Sequence, residues 1–406
     1  MSPVRVRSFA PFATQYNGMK IKLFMLLVII FIIICCLFLL KREVGSIPND
    51  NDLSKFKTLP YFKNGRFINI YNSIDGFKND GNERYNFDFK TMMKMLFFQK
   101  NNPKQTMPII HLNKNDFSYL PSDFAVYWLG HSNVIFELSG KRIIVDPTFS
   151  NAGPVPFIVK RYVNSPLNIR DLPHFDYVLI THNHYDHLER KAIKALNQQV
   201  NTTFIVPLGL STTLIGWGVK KEKIVEIGWG QSLTFGNLIF NGEPAIHFSG
   251  RWLNDSGKTL WNSYVIQVKS NDNDDNNNIK RQIFCAGDGG YGTQIDYIAK
   301  KYGKYGGFDI ATIEIDAWNT GWPYVHMFTK EALEVAKKLN TKYLLPVHWG
   351  VYNLAMHNWK TSINMLLDEN KKIHITNILT PMIGEKLNLL QENIEYKNQN
   401  WFNEVE

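Results

Sequence analysis

Within the segment ITHNHYDHLER, residues 180–190, positions 182–187 carry four side chains of the kinds that bind metal ions. They are His182, His184, Asp186 and His187, and its three histidines come from a total of eleven in the chain. Neutral imidazole and carboxylate groups are the usual protein ligands of zinc and similar divalent cations. A polar surface turn has no packing reason to gather so many ligand types directly after the apolar run 177–180. The segment therefore predicts a metal site.

The spacing within this segment suits two neighbouring metal ions. Side chains two residues apart fall on the same side of an extended backbone, so His182 and His184 would point toward one ion. Asp186 and His187 would then serve a second ion close to the first. Two adjacent ions would use all four side chains.

HxHxDH after an apolar strand resembles the metallo-β-lactamase superfamily, whose members carry a histidine, a bridging aspartate and a final histidine further downstream. This sequence offers each in that order: His247 in EPAIHFSGR, Asp288 in IFCAGDGGY and His348 in YLLPVHWG. Alone, each is more typical of a hydrogen-bonded residue at a strand end than of a ligand. Their order after HxHxDH favours a complete two-metal set.

Longer blocks resemble the N-acyl-phosphatidylethanolamine-hydrolysing phospholipase D group of that superfamily. They are YWLGHSNVIFEL, VDPTFS, ITHNHYDHL, FIVPLGL, FCAGDGGY and HMFTKEALEVAKKLNTKYLLPVHWG, within residues 124–385. The resemblance implies an α/β fold, a metallo-β-lactamase-like αββα sandwich, with two Zn²⁺ per chain. It also implies hydrolysis of a membrane phospholipid, N-acyl-phosphatidylethanolamine, to N-acylethanolamine and phosphatidic acid through a metal-bridging hydroxide, and a homodimer.

The resemblance assigns individual roles to the metal-binding residues. One zinc would be held by His182, His184, His247 and Asp288, and the other by Asp186, His187, Asp288 and His348. Asp288 would thus bridge the two ions and, with Asp186 and His326, belong to the catalytic residues.

Three further residues are expected around the ligands. His326 matches the family histidine that faces the substrate phosphate, although its position before a helix would also suit a residue at a helix entry. His131 and Asp146 are expected to support the ligands from outside the metal shell. An ordinary turn histidine and a structural aspartate are the alternatives for these two.

The sequence departs from the group's pattern at three places. Gly289 stands where Thr or a similar residue is usual, and Phe248 stands where Trp is commoner. The stretch 316–324, DAWNTGWPY, lacks the usual Arg and adds the charge of Asp316. We expect these changes along the substrate wall, away from the metal ligands.

The N-terminal stretch 23–40, LFMLLVIIFIIICCLFLL, contains no charged residue and no proline. As a helix it would rise about 27 Å, close to the hydrocarbon thickness of a bilayer. It predicts a single-pass membrane anchor, with a cleaved signal peptide or a buried helix as alternatives. Basic residues flank both ends, so the orientation stays open. The first twenty residues contain two arginines and no acid, so a mitochondrial location stands beside an endomembrane one.

We divide the chain into four parts. They are an N-terminal segment with the anchor (1–45), a linker and irregular extension (46–118), a hydrolase domain (119–390) and a C-terminal tail (391–406). Within the domain short apolar strands alternate with helices such as 190–198 and 330–338, and ligand-type residues follow strand ends, where layered α/β folds collect their sites. A further helix is predicted at 89–99. The polar run 270–279, SNDNDDNNNI, predicts a solvated loop within a β-hairpin.

The net charge limits the classes of binding partner, and the cysteine content limits the kinds of metal or disulfide site. The net charge of +9 suits anionic lipid headgroups or simply a mildly basic surface. No dense basic patch lies near the ligands, so no nucleic-acid partner is expected. The three cysteines form no CxxC pair, so the sequence indicates neither a zinc ribbon nor a disulfide framework.

The sequence leaves two alternative functions open, and it does not decide the role of four aromatic side chains. The chain could be another hydrolase of this fold that acts on a soluble ester, lactone or phosphodiester, or a non-catalytic membrane protein with a structural metal site. The aromatic residues Phe149, Phe157, Trp252 and Trp322 would either line an entry for acyl chains or pack in the interior.

Overall fold

The structure is a computed structural model. It describes residues 10–72, 101–117, 119, 121–155, 159–270, 278–319, 322, 324–355, 357–391, 394, 396 and 399–406. The described chain separates into two units, Met1–Val44 and Gly45–Glu406. The predicted helix 89–99, Phe157 and residues 271–277 of the polar run lie outside the described residues.

Among its described residues the first unit contains one helix, α1 (Ala10–Val44), which includes the predicted apolar stretch. Its segment Lys22–Val44 has a mean hydropathy of 3.6 and is long and apolar enough to cross a membrane. Nearly all large apolar side chains from Leu23 to Leu39 are exposed on this helix. A helix that is apolar on all sides needs an apolar environment around it, such as lipid or a protein core.

The second unit contains six α-helices among its described residues. They are α2 (Asp50–Ser54), α3 (Arg190–Asn197), α4 (Ser211–Gly216), α5 (Thr293–Tyr302), α6 (Thr329–Lys338) and α7 (Thr361–Ile373). The helices predicted at 190–198 and 330–338 are confirmed as α3 and α6. Ala192, Ile193 and Leu196 form the buried face of α3, while Lys191 is exposed, as expected for a helix with one side on a core.

In the part of the chain that the structure describes, the strands form one small hairpin and two seven-stranded sheets. The hairpin pairs β1 (Phe62–Lys63) with β2 (Arg66–Phe67). The first sheet has the order β16-β3-β4-β5-β6-β7-β8 and the second β15-β14-β13-β12-β11-β10-β9. The first sheet contains β3 (Phe124–Trp128), β4 (Val134–Leu138), β5 (Lys141–Val145), β6 (Tyr177–Leu179), β7 (Thr203–Pro207), β8 (Ile224–Ile227) and β16 (Lys386–Asn388). The second contains β9 (Ser232–Phe235), β10 (Leu238–Glu243), β11 (Ser263–Lys269), β12 (Ile279–Cys285), β13 (Phe308–Glu314), β14 (Thr341–Val347) and β15 (Asn377–Ile378).

Both sheets are built to the same plan. Each begins with antiparallel strands and ends with parallel ones, with the change at β5 in the first sheet and at β12 in the second. Antiparallel pairing of β11 with β12 confirms the predicted hairpin around the polar run. Parallel neighbours have their carboxyl ends at the same edge of a sheet, which brings the residues after β5 and β6, and those after β12, β13 and β14, to common edges.

The main core lies between the two sheets. Apolar side chains from both, such as Phe136 of β4 and Ile266 of β11, belong to one buried cluster that also includes residues of α6. A second cluster joins the outer face of the first sheet to α3 and α4. The second sheet is contacted by α6 at β13 and β14. Helices therefore pack against both sheets, and the expected αββα sandwich is confirmed.

Part of the extension before the sandwich is more ordered than the sequence indicated. Leu53, Phe56 and Phe67 pack with Trp229 and Trp261 of the sandwich in a third apolar cluster. The side chain of Asn69 donates a hydrogen bond to the carbonyl of His247 (2.9 Å). The aromatic residues of the extension are irregularly spaced among polar ones, so they show no hydrophobic period that would predict burial. Their partners in the sandwich lie more than a hundred residues away in the sequence.

Candidate metal centre

The seven predicted metal ligands all follow the carboxyl ends of strands. His182, His184, Asp186 and His187 lie in the loop after β6, and His247, Asp288 and His348 follow β10, β12 and β14. These strands belong to both sheets, so the ligands meet where the two sheets face each other. The structure brings all seven together within a single site.

His182, His184 and His247 form one group of potential ligand atoms. Nδ1 of His184 lies 2.9 Å from Nε2 of His182 and 3.2 Å from Nε2 of His247. Three imidazole nitrogens that converge in this way can hold one divalent cation.

Asp186, His187 and His348 form the neighbouring group. Oδ2 of Asp186 lies 3.4 Å from Nε2 of His348 and 3.6 Å from Nε2 of His187. His131 also belongs to this group, because its Nε2 lies 3.1 Å from the same carboxylate oxygen.

A single oxygen of Asp288 touches both groups. Its Oδ2 lies 3.0 Å from Nε2 of His348 and 3.1 Å from Nε2 of His187. The same atom lies 3.9 Å from Nε2 of His182 and 4.0 Å from Nε2 of His247. Asp288 is thus positioned as the predicted bridge between two metal positions.

Asp146 lies behind the ligands and fixes two of them. Its Oδ2 lies 2.7 Å from Nδ1 of His187, which leaves Nε2 of that histidine directed at Asp288. Asp146 also accepts hydrogen bonds from the backbone N–H of Thr181 (2.8 Å) and its hydroxyl (2.6 Å). The hydroxyl of Thr181 in turn lies 3.0 Å from Nδ1 of His182. A carboxylate on the second nitrogen fixes the orientation of a metal-binding histidine.

Three site residues have a backbone conformation that non-glycine residues seldom adopt. The φ angles of His131, Asp146 and His348 are 54°, 44° and 72°. The N–H of His348 donates to the carbonyl of His131 (3.2 Å), and the ring of Trp128 donates to the same carbonyl (2.8 Å). Such strain is kept only where surrounding structure enforces it, and it clusters at functional sites.

Glu314 is a site residue that the sequence analysis missed. It is fully buried at the end of β13, and its Oε2 lies 2.6 Å from Nδ1 of His326. Its other oxygen accepts the backbone N–H of Gly289 (2.6 Å), next to Asp288. The sequence did contain an indication of this role. Glu314 is a charged residue at the end of the apolar run 308–315, and the other site residues also follow the carboxyl ends of strands.

His326 faces the centre from its rim. It is partly exposed, and its Nδ1 lies 3.9 Å from Oδ2 of Asp288. Burial lowers the pKa of His326, but the carboxylates of Glu314 and Asp288 outweigh it and raise the pKa above the ordinary value. A protonated imidazole beside the metal positions can bind an anionic group of a substrate.

Arg251 was also missed, although it lies in the quoted segment EPAIHFSGR. Its Nη1 donates to the carbonyls of Asn183 (2.8 Å) and Leu188 (2.9 Å), at the two ends of the ligand loop. Its guanidinium lies 3.8 Å from the ring centroid of Tyr185, whose hydroxyl donates to the carbonyl of Arg251 (3.0 Å). The residue therefore closes the ligand loop on itself.

The departures from the family pattern have different surroundings. The ring of Phe248 contacts His184, with centroids 4.6 Å apart, and a Cβ at Gly289 would lie 3.3 Å from backbone atoms of Ile246. Asp316 is buried, accepts the hydroxyl of Ser362 (2.9 Å) and lies 3.1 Å from Nε2 of His357. Two of the changes thus touch the centre, while the charge of Asp316 is engaged in the protein interior.

The histidine groups differ in protonation. Burial lowers the pKa of His184 to about 4 and that of His131 to about 3, and it also lowers the pKa of His182 and His247. These imidazoles are neutral near pH 7, which is the form that binds metals. Burial opposes protonation of His348 too, but Asp288 and Asp186 raise its pKa to about 10. The two carboxylates therefore attract positive charge to this part of the site.

The donor set fits zinc. Nε2 of His187, Nε2 of His348 and Oδ1 of Asp288 are buried without a hydrogen-bond partner among the described residues. Buried polar atoms are seldom left in this way unless an ion or water satisfies them. Tetrahedral zinc with bonds of about 2.0–2.1 Å separates its ligand atoms by roughly 3.4 Å. The 3.0–4.0 Å separations around Asp288 bracket that spacing.

Comparison with known proteins agrees with this geometry. The model of the β-lactamase superfamily domain matches residues 141–349. An uncharacterized protein of Mycobacterium tuberculosis is 31% identical over 81% of this chain and 84% of its own length. The N-acyl-phosphatidylethanolamine-hydrolyzing phospholipase D 1 of Caenorhabditis elegans is 30% identical over 69% of this chain and 80% of its own length. A solved structure from Veillonella parvula, described as a possible metal-dependent hydrolase, has a TM-score of 0.51 at 14% identity, with 65% of this chain and 98% of that chain covered, and shows the fold alone.

Substitution of Arg251 by Leu tests the closure of the ligand loop. Two buried carbonyls would lose their donor, at about 1–3 kcal/mol each, so we expect a free energy of unfolding lower by about 2–6 kcal/mol. We also expect faster hydrogen exchange of the amides in 183–188, measured by mass spectrometry on the full chain. The control is Arg281→Leu, which removes a half-exposed ion pair with Asp309 in the second sheet and should cost at most about 1 kcal/mol. Unchanged exchange in 183–188 would contradict the role of Arg251.

Proposed function

We propose that this chain, which belongs to the β-lactamase superfamily, is a membrane-anchored, zinc-dependent phospholipase D. Within the superfamily it belongs to the N-acyl-phosphatidylethanolamine-hydrolysing phospholipase D group. The proposed reaction hydrolyses N-acyl-phosphatidylethanolamine to N-acylethanolamine and phosphatidic acid. The observation that carries the proposal is the single Asp288 oxygen shared by two groups of histidines, with the His326–Glu314 pair beside it.

The residues of the centre divide into ligands and supports. His182, His184 and His247 would hold one zinc, and Asp186, His187 and His348 the other, with Asp288 common to both. When bound, two zinc ions would lower the pKa of a water molecule and polarise the phosphoryl oxygens of the substrate. Asp146 and His131 hold His187 and Asp186 in place, so the ligand positions do not have to reorganise when substrate arrives.

His326 would bind the substrate phosphate. Glu314 occupies its Nδ1, which leaves Nε2 as the donor for a phosphoryl oxygen. Burial lowers the pKa of His326, but the neighbouring carboxylate of Glu314 raises it above its ordinary value, and the positive charge of the protonated ring would stabilise the negative charge that develops at phosphorus. Glu314 acts as a positioning residue, because it reaches the substrate only through His326.

The helix α1 would anchor the enzyme to the membrane that contains its substrate. Its segment Lys22–Val44 has the length and hydropathy for one crossing. Anchoring keeps the enzyme at the bilayer surface and raises the local concentration of a lipid that seldom leaves it. An endomembrane or mitochondrial location and a homodimer stay predictions from the sequence.

Zinc content and turnover of Asp288→Asn test the shared carboxylate. The amide keeps the shape of the side chain but loses the charge, so we expect bound zinc to fall below two per chain. We expect release of N-acylethanolamine to fall by about a thousandfold, since metal sites supply several kcal/mol of transition-state stabilisation. The measurement combines elemental analysis and mass spectrometry of products for the full chain in lipid nanodiscs. The control Asp309→Asn alters a carboxylate of the same sheet that pairs with Arg281 outside the centre.

The outcomes of this assay separate the alternatives. A zinc-loaded protein that is inert toward the lipid but cleaves a soluble ester, lactone or phosphodiester would be another hydrolase of the fold. A protein that a chelator destabilises, with no turnover of any such substrate, would have a structural metal site. Either result would contradict the proposed phospholipase D activity.

Substitutions at His326 and Glu314 test the proposed phosphate contact. His326→Gln should retain zinc and lose about a hundredfold or more in kcat, because a donor aimed at developing charge is removed. Glu314→Gln removes the carboxylate that raises the pKa of His326, so protonated His326 is lost at a lower pH. The alkaline limb of the kcat–pH profile should therefore move to lower pH in Glu314→Gln. An unmoved limb, or loss of zinc in His326→Gln, would contradict these roles.

A further inference from the structure

The backbone of His247, a predicted metal ligand, is paired with one side chain from outside the sandwich. Nδ2 of Asn69 donates to the carbonyl of His247 (2.9 Å), and Oδ1 of Asn69 accepts the N–H of His247 (3.3 Å). Asn69 is 7% exposed and precedes β3, the first strand of the two sheets. A carboxamide carries a donor and an acceptor side by side, so it can pair with the backbone of one residue as a neighbouring strand would.

The backbone of the segment that carries His247 depends on this pairing. The carbonyl of Ile246, one residue earlier, accepts the N–H of Gly290 (2.8 Å). Within the described chain, Asn69 supplies the only partners of the N–H and the carbonyl of His247, which is buried. Buried backbone groups without a partner are costly, so removal of Asn69 would shift His247 toward other partners.

Asn69 is itself held in place by its surroundings. Its Oδ1 also accepts Nε1 of Trp261 (3.1 Å), which donates at the same time to the carbonyl of Ala245 (2.9 Å). Trp261 and Ala245 belong to the third apolar cluster together with Phe56. We call residues 53–72 the docked segment, because this cluster fixes them on the sandwich.

The ring of His247 has a partner of its own. Its Nδ1 lies 3.2 Å from the carbonyl of Val325, which directs Nε2 toward His184 and Asp288. A metal-binding imidazole keeps its orientation when its second nitrogen and its backbone both have partners. Val325 supplies the first of these contacts and Asn69 supplies the second.

We propose that Asn69 is a positioning residue of the metal centre, which sets the zinc affinity of the three-histidine group formed by His182, His184 and His247. The inference rests on the proposed function in one respect, that this group holds one of two zinc ions. Partners outside the ligand shell change metal affinity by about 10–100-fold. The docked segment is therefore part of the metal centre, although it contributes none of the seven predicted ligands.

Zinc titrations of the full chain in two backgrounds test this role. His348→Asn leaves the three-histidine group complete, and His247→Asn leaves the other group complete, so each background would bind one zinc ion. We expect Asn69→Leu to raise the zinc dissociation constant by about 10–100-fold in His348→Asn and by at most about twofold in His247→Asn. The constants are measured in lipid nanodiscs with a competing chelator. Equal losses in both backgrounds, or no loss in either, would overturn the proposal.

Phe56→Leu is the matched control in the docked segment. Phe56 is buried in the same apolar cluster, with its ring centroid 5.2 Å from that of Phe67. The smaller side chain lowers the stability of the cluster and leaves every hydrogen bond of Asn69 in place. We expect a lower midpoint of thermal unfolding and an unchanged zinc dissociation constant in His348→Asn. A loss of affinity equal to that of Asn69→Leu would show that docking in general sets the affinity, and would overturn the assignment to Asn69.

Hydrogen exchange of the unsubstituted chain provides a second test, which does not depend on the folding of a variant. If docked Asn69 raises the affinity for zinc, zinc must stabilise the docked state by the same factor. The amides of Phe67 and Ile68 report docking, because they donate to the carbonyls of Gly257 (2.7 Å) and Tyr61 (2.9 Å). We expect these amides to exchange about tenfold or more slowly when zinc is bound, with little change in α7. Equal exchange with and without zinc would overturn the proposal.

Zinc affinity and lipid turnover fail independently. A selective loss of affinity in Asn69→Leu, in a protein that does not hydrolyse N-acyl-phosphatidylethanolamine, would support the role of Asn69 and refute the proposed reaction. Turnover of the lipid, with no effect of Asn69→Leu on zinc affinity, would support the reaction and refute the role of Asn69. A full chain that binds no zinc would refute both.

Discussion

The carboxylate of Asp288 is the contact on which the centre depends. One of its oxygens lies within 4.0 Å of ring nitrogens of His182, His187, His247 and His348, which come from three loops of two sheets. A buried carboxylate is costly unless positive charge surrounds it. The αββα sandwich brings the histidines around this carboxylate by placing the carboxyl ends of its strands together where the sheets meet, and metal ions held by those histidines would supply the positive charge. Removal of this one oxygen would leave two incomplete groups of ligands.

The supporting residues follow from the same requirement. The side chains that would share a cation must be held in place before it binds, because without supporting hydrogen bonds they would move apart. Asp146 and Thr181 fix His187 and His182, and Arg251 ties the two ends of their loop. Fixing the ligands also requires the left-handed backbone at His131 and His348. This conformation is strained, and the surrounding sheets enforce it.

The residues alone predicted the strands that precede these side chains and a metal site at HxHxDH. His247, Asp288 and His348 were added by the family resemblance, and the structure brings all seven residues together. The sequence also predicted the long apolar helix. It missed Glu314 and Arg251, because each acts only through a partner, His326 or the carbonyls of Asn183 and Leu188, that other elements bring close. It missed the packing of Phe56 and Asn69 on the sandwich for the same reason. The short strand β9 and the helices α4, α5 and α7 lack a periodicity strong enough to identify without the tertiary contacts that select them.

X-ray absorption at the zinc edge, on the full chain purified with its metal, tests the central claim most directly. We predict a first shell of nitrogen and oxygen atoms at about 2.0–2.2 Å, without sulfur. We also predict zinc–zinc scattering at roughly 3.5–4 Å that is lost in Asp288→Asn. Isolated zinc without a second metal in the wild-type protein, or a sulfur shell near about 2.3 Å, would contradict a carboxylate-bridged pair of ions.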